Sequence, residues 1–193
     1  MPKGQAEALM PALEALLTGQ GVGWADLQAI GVGIGPGNFT GTRIAVSAAR
    51  GLSLALGIPA VGLSAFALRR DPGRPEAHAN ELVTLDAPRG QLYGQRFSYG
   101  EPEGEPLVFD PDAPPEALQS ADLLVTGAAA RTVAQRLGAR ANDAPLDDLP
   151  LRMARLLDWR MRRPEQSAGR PAPLYVRPAD AAPPADAPPV VVP

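Results

Sequence analysis

Residues 29–34 (AIGVGI) form a short apolar run that breaks at a glycine- and proline-rich stretch, GPGNFTG over 35–41. Residues 42–56 then read as a helix, Gly57 stops it, and 58–63 (IPAVGL) form a second apolar run. Short apolar runs flanked by breakers read as buried strands. A strand–loop–helix–strand order forces the strands parallel, with a right-handed crossover. The feature therefore commits the chain to an α/β class. The crossing helix is rich in small residues, Ala45, Ser47, Ala48, Ala49, Gly51, Ser53 and Ala55, which let another backbone approach closely.

The segments around this unit extend the pattern. Over 5–17, Leu9, Met10, Leu13, Leu16 and Leu17 fall on one helical stripe, with Pro11 inside it as a kink or a late start. Taken alone, that stripe predicts a core-facing helix, stopped by the glycines at 19 and 21. The polar, breaker-rich stretch 69–76 is the expected domain boundary. Strands are predicted over 82–86, 91–99 and 122–126, with a short one at 107–109. The alternation over 91–99 puts Tyr93, Phe97 and Tyr99 on one face, and 101–106 reads as a turn. Helices are expected over 128–137 and 151–161, the latter aligning Met153, Leu156, Leu157 and Met161. The expected organisation is one α/β lobe over 1–70, a second over 71–178, and a Pro-rich flexible tail over 179–193.

Composition removes most chemistry. The 193 residues contain no Cys and one His. That excludes disulfides, thiolate metal sites, a cysteine nucleophile and multi-His metal centres. His78 lies in a polar stretch and reads as a solvated loop residue. The net charge of −3 argues against a free-standing nucleic-acid binder. No run of 18 or more apolar residues occurs, and no secretory leader is visible, so the expected location is cytoplasmic and no membrane partner is expected.

The glycine-rich loop fits neither nucleotide fingerprint. G-x-G-x-x-G fails from Gly31, Gly33 and Gly35, and no Lys-Ser/Thr pair closes a P-loop. Gly35, Gly37, Thr40 and Gly41 are its anion-loop candidates, at the start of a helix. The preferred reading is ordinary: Thr40 or Thr42 caps the helix, and the glycines permit a tight turn. Asp86 closes a strand beside a turn, and Asp147 and Asp148 are adjacent with diverging side chains. Arg152, Arg155, Arg160, Arg162 and Arg163 form a basic cluster, read chiefly as a solvated helix end.

Several of these segments resemble one family. GIGPGNFTGTRI over 33–44, AARGL over 48–52 and GIPAVGLS over 57–64 are similar to the TsaB (YeaZ) family. LDAPRGQLY over 85–93 resembles its second-domain hairpin, LYVR over 174–177 its C-terminal element, and GQAEAL over 4–9 the start of its first helix. The resemblance implies the actin/Hsp70-like (ASKHA) fold of two α/β lobes. It implies a non-catalytic, activating role in making N6-threonylcarbamoyladenosine at position 37 of tRNA, with no cofactor of the chain's own. It further implies a TsaD-like catalytic partner, a TsaE-like ATPase, and tRNA met indirectly through the complex. The partner face implied is the pair of helices over 5–17 and 42–56. Its candidates are Leu9, Leu13, Leu16, Arg43, Ala45, Ala48, Ala49, Leu52 and Ser53. A homodimer through the same helices is expected when the catalytic partner is absent.

The resemblance also implies three strands ahead of the first helix, the first with an Asp-Thr-Ser-like motif, roughly 25–40 residues in all. The sequence begins at that helix. The expectation is thus a truncated N-terminal lobe, or a start assigned too late, with the 29–34 strand lacking its usual neighbours. The competing reading is an enzyme of the same superfold, a phosphotransferase or a hydrolase of the kind once labelled glycopeptidase. It would use the Gly35 to Gly41 loop and Asp86.

Overall fold

The computed structural model describes residues 4–70, 77–143, 146–163 and 169–176. The helices are α1 (Gln5–Gly19), α2 (Phe39–Leu56), α3 (Ala65–Arg69), α4 (Ala130–Leu137) and α5 (Leu149–Met161). The strands are β1 (Ile30–Gly35), β2 (Ala60–Ser64), β3 (Glu81–Asp86), β4 (Leu92–Ser98), β5 (Glu101–Phe109), β6 (Leu124–Gly127) and β7 (Arg140–Asn142). Of the boundary expected over 69–76, residues 71–76 lie outside the described residues, as does the expected tail at 179–193.

The expected crossover is present. β1 and β2 pair in parallel, Ile30 opposite Ala60 and Gly33 opposite Leu63, and α2 joins them. α2 begins at Phe39, earlier than expected, because neither Thr40 nor Thr42 is its cap. Asn38 is: its Oδ1 accepts the Gly41 N–H at 2.8 Å. Asparagine is among the best N-caps, since its short side chain reaches a donor of the first turn. Gly57, at φ 67°, ends the helix in the left-handed conformation that glycine adopts without penalty. Val32, Val46 and Ala49 form a small core between β1 and α2, with Ile30, Ile34 and Ala45 against it.

The second sheet has the order β5-β4-β3-β6-β7. β6 runs parallel to β3 and β7, while β3, β4 and β5 form an antiparallel meander. Two expectations need correction here. Residues 101–106 are not a turn but most of β5. β5 lies at the sheet edge, where Pro102 and Pro106 lose no ladder bond that the sheet needs, and Glu101, Glu103 and Glu105 discourage further pairing. The turn is instead Tyr99-Gly100, with φ of 44° and 97°, closing the pair Ser98–Glu101. Two positive φ angles in a two-residue hairpin loop match the twist of the flanking strands. Tyr99 therefore leaves the face shared by Tyr93 and Phe97 and is 61% exposed.

Strand alternation builds two cores on the second sheet. Leu82, Leu92 and Val125 face α4, whose Val133, Ala134 and Leu137 cover them. Val83 and Phe97 face the other way, onto Val61 and Leu63 of β2, Phe66 of α3 and Leu156 of α5. This second cluster joins the two sheets.

α1 also departs from expectation. It starts at Gln5 and continues past Pro11, and none of its residues is buried. Leu9, Leu13 and Leu17 are half-buried, and Leu16 is 61% exposed. The core-facing reading fails: among the described residues β1 and β2 form a two-stranded sheet, and α2 takes one of its faces. No helix of the described residues is long and apolar enough to cross a membrane.

Candidate functional site: the α1 and α2 surface

The helix period of about 3.6 residues divides α2 into flanks. Val46 and Ala49 point onto Val32, and Ala45 packs beside them, so Ala45 and Ala49 belong largely to the small core. Ser53 donates from Oγ to the Ile58 carbonyl at 2.6 Å, serving the end of the helix. Ala48 and Leu52 are half-buried on the flank away from Arg50 and Leu54. On α1, Leu9 and Leu13 are half-buried as well, and Leu16 is exposed.

Arg43, two helical turns before Arg50, lies on the other flank of α2 from Ala48 and Leu52. Its guanidinium carbon lies 3.7 Å from the centre of the Phe39 ring, and Nε donates to the Tyr175 hydroxyl at 2.7 Å. The Phe39 and Tyr175 rings are 5.2 Å apart. A cation over an aromatic face is held by the ring quadrupole. This trio ties the segment around 174–175 to the first turn of α2. Sequence reasoning singled out Arg43 and the LYVR element but did not join them, since their separation of 132 positions carries no local signal.

The glycine-rich loop shows the same tether. Leu174 donates its N–H to the Ile34 carbonyl at 2.8 Å. Gly35 has φ 96°, and a Cβ there would lie 3.3 Å from both the Leu174 carbonyl oxygen and the Gly37 nitrogen. Gly35 thus admits a close backbone pass. At Gly41 a Cβ would press on Asn38 Oδ1 at 3.3 Å, inside the cap. Gly37 faces open space, and Thr40 is exposed.

Charged side chains elsewhere are mostly occupied. Asp147 and Asp148 diverge as expected: Asp148 caps α5 by accepting the Leu151 N–H, and Asp147 pairs with Arg152 at 2.8 Å. The hydrogen bond from the Arg152 guanidinium holds the Asp147 carboxyl below its ordinary range, with the Asp147 backbone and the Arg152 charge adding to it. Arg152 also reaches the Arg70 carbonyl at 2.9 Å, Arg160 pairs with Glu101 at 3.0 Å, and Arg162 with Asp158 at 2.8 Å. Much of the basic cluster is therefore neutralised internally. Asp86 is exposed at the end of β3, and His78 is half-buried in the loop before it.

Comparison with known proteins follows the same lines. The family model described as TsaD, tRNA N6-adenosine threonylcarbamoyltransferase, matches residues 3–139. The tRNA threonylcarbamoyladenosine biosynthesis protein TsaB of Escherichia coli is 30% identical over 101 residues, 52% of this chain and 44% of that protein. Its Bacillus subtilis counterpart is 35% identical over 112 residues, 57% of this chain and 48% of that protein. The chain thus matches less than half the length of these curated relatives. The solved structure of YeaZ from Pseudomonas aeruginosa superposes with a TM-score of 0.62 at 27% identity, covering 91% of this chain and 85% of that one. The chain belongs to the TsaD family, groups within it with TsaB (YeaZ), and has the actin/Hsp70-like α/β fold.

Proposed function

We propose that this chain is the non-catalytic, activating subunit of an assembly that makes N6-threonylcarbamoyladenosine in tRNA. It docks a TsaD-like catalytic subunit through α1 and the Ala48 and Leu52 flank of α2. The observation that carries this reading is α1 itself, a 15-residue helix with an apolar stripe and no buried residue. Such a stripe gains its stability from a partner, at about 25 cal/mol for each Å² of apolar surface removed from water. Names of the curated relatives place them in threonylcarbamoyladenosine biosynthesis. A TsaE-like ATPase joins the pair, and tRNA meets the assembly rather than this chain alone. The absence of Cys and the single His suit a subunit whose partner supplies the catalytic metal site. The proposed location is the cytoplasm, with tRNA.

Reconstitution with the TsaD-like and TsaE-like proteins and the enzyme that forms threonylcarbamoyl-adenylate tests the role. Modification of tRNA is expected only when this chain is included, and equal modification without it overturns the proposal. ATP-dependent turnover by the isolated chain would favour the superfold-enzyme reading instead. Leu16→Asp is expected to keep the fold and to abolish co-elution with the TsaD-like subunit. Sedimentation of the chain alone checks for a homodimer that covers the same stripe.

A further inference from the structure

The opposite flank of α2 carries a second surface. Arg50 and Leu54 border an open groove of about 780 Å³. Its floor includes Ala60 at the start of β2, its far wall is the end of α5 with Arg160 and Met161, and Arg170 stands at the rim. Leu54 is 84% exposed and Met161 38%. Full burial of a side chain of this size is worth about 1.5–3 kcal/mol, which Leu54 largely forgoes in the isolated chain and Met161 forgoes in part.

Among the described residues that line the groove, every charged one is an arginine: Arg50, Arg160 and Arg170. Arg160 is held by Glu101, but Arg50 and Arg170 are exposed and have no ion-pair partner among the described residues. Among the described residues, no acidic one lines the groove. This patch is positive on a chain whose net charge is −3, so it is a local attractor for anionic groups. Among the described residues no aromatic one lines it, so those residues offer no stacking platform of the kind single-stranded nucleic acid uses.

The strand edge gives the groove a direction. The Pro59 carbonyl accepts the Ile30 N–H at 2.9 Å, so along β2 the peptide groups of Ala60 and Gly62 alternate away from β1. Among the described residues β2 pairs with no other strand. An extended peptide suits such an edge.

We propose that this groove docks an extended, acidic segment of a partner protein. An apolar side chain of that segment packs between Leu54 and Met161, and flanking carboxylates meet Arg50 and Arg170. The site is separate from the α1 surface and does not depend on the function proposed above.

Fluorescence anisotropy on the full chain tests it, with a labelled acidic peptide EDELFDED, a basic counterpart KKKLFKKK and a single-stranded oligouridine as probes. The acidic peptide is expected to bind, more weakly as salt rises. R50E/R170E and Leu54→Asp are each expected to weaken it by roughly tenfold or more. Their thermal melts are expected to match the parent chain, because these side chains are exposed. Four results overturn the proposal: no binding of the acidic peptide, equal binding of the basic one, displacement of the peptide by oligouridine, or parental affinity in both variants.

Discussion

Arg70 and Glu81 bury a complete ion pair, with Arg70 Nε 2.5 Å from Glu81 Oε2 and each side chain 3% exposed. The other Glu81 oxygen accepts from Thr126 Oγ1 at 2.7 Å. Arg70 lies 4.6 Å from the centre of the Phe97 ring and donates to the Gly100 carbonyl at 3.3 Å. One pair thus ties the end of α3 to β3, β6 and the β4–β5 hairpin. Charges withdrawn from water this far need every partner, because an uncompensated one costs more than the pair contributes.

Glu81→Leu leaves the Arg70 charge without its carboxylate, and a loss of about 3–5 kcal/mol is expected in urea unfolding. The double variant R70M/E81L removes both charges and is expected to recover much of that loss. A loss under about 1 kcal/mol for Glu81→Leu would mean that water reaches Arg70 once the carboxylate is gone.

Gly127→Ala tests a backbone contact between β3 and β6. Gly127 has φ 120°, and a Cβ there would lie 2.1 Å from the Thr84 carbonyl oxygen. That oxygen cannot retreat freely, since it accepts the Ala128 N–H at 3.0 Å. Destabilisation above about 3 kcal/mol is expected. Gly138→Ala is the control: φ is 65° but the space is open, so only the left-handed cost of about 1–2 kcal/mol applies.

The Asp147 carboxyl is predicted to titrate below the usual aspartate value of about 3.9. Its depressed folded-state pKa means that its contribution to stability is present above the unfolded-state value. That contribution is lost as pH falls through the folded value. NMR titration of the carboxyl carbon reads this directly. Arg152→Ala is expected to return the midpoint toward the ordinary range, and an unchanged midpoint would remove Arg152 as the cause.

Much of this fold is legible locally, because breakers and apolar runs mark the elements. Gly57 stops α2, and the run before Gly127 is β6. The failures are those of context. EPEGEP over 101–106 has the composition of a turn, and only its place at a sheet edge makes it a strand. β7 spans three residues and α3 five, too short for a periodic signal. The stripe on α1 looks the same whether a helix faces a core or a missing partner. At the site, Asn38 takes the capping role expected of the threonines, and the Arg43, Phe39 and Tyr175 cluster depends on a contact across most of the chain.

Ala48 and Ala49 are neighbours in sequence that the helix turns to different fates, and arginine at each separates folding from docking. Ala49 is 4% exposed against Val32 and Val46, so Ala49→Arg forces a charge into the small core. A loss of about 3 kcal/mol or more is expected there, read as a lowered melting temperature, and any lost binding would follow from unfolding. Ala48 is half-buried on the flank of α2 away from the Arg50 groove. Ala48→Arg is expected to cost less than about 1 kcal/mol, because its long stem can lie along the surface. The same change is expected to abolish co-purification with the TsaD-like subunit, since a guanidinium there would stand inside the docked helices. If Ala48→Arg melts normally and still co-purifies, the α2 flank is not the contact, and α1 alone must carry it.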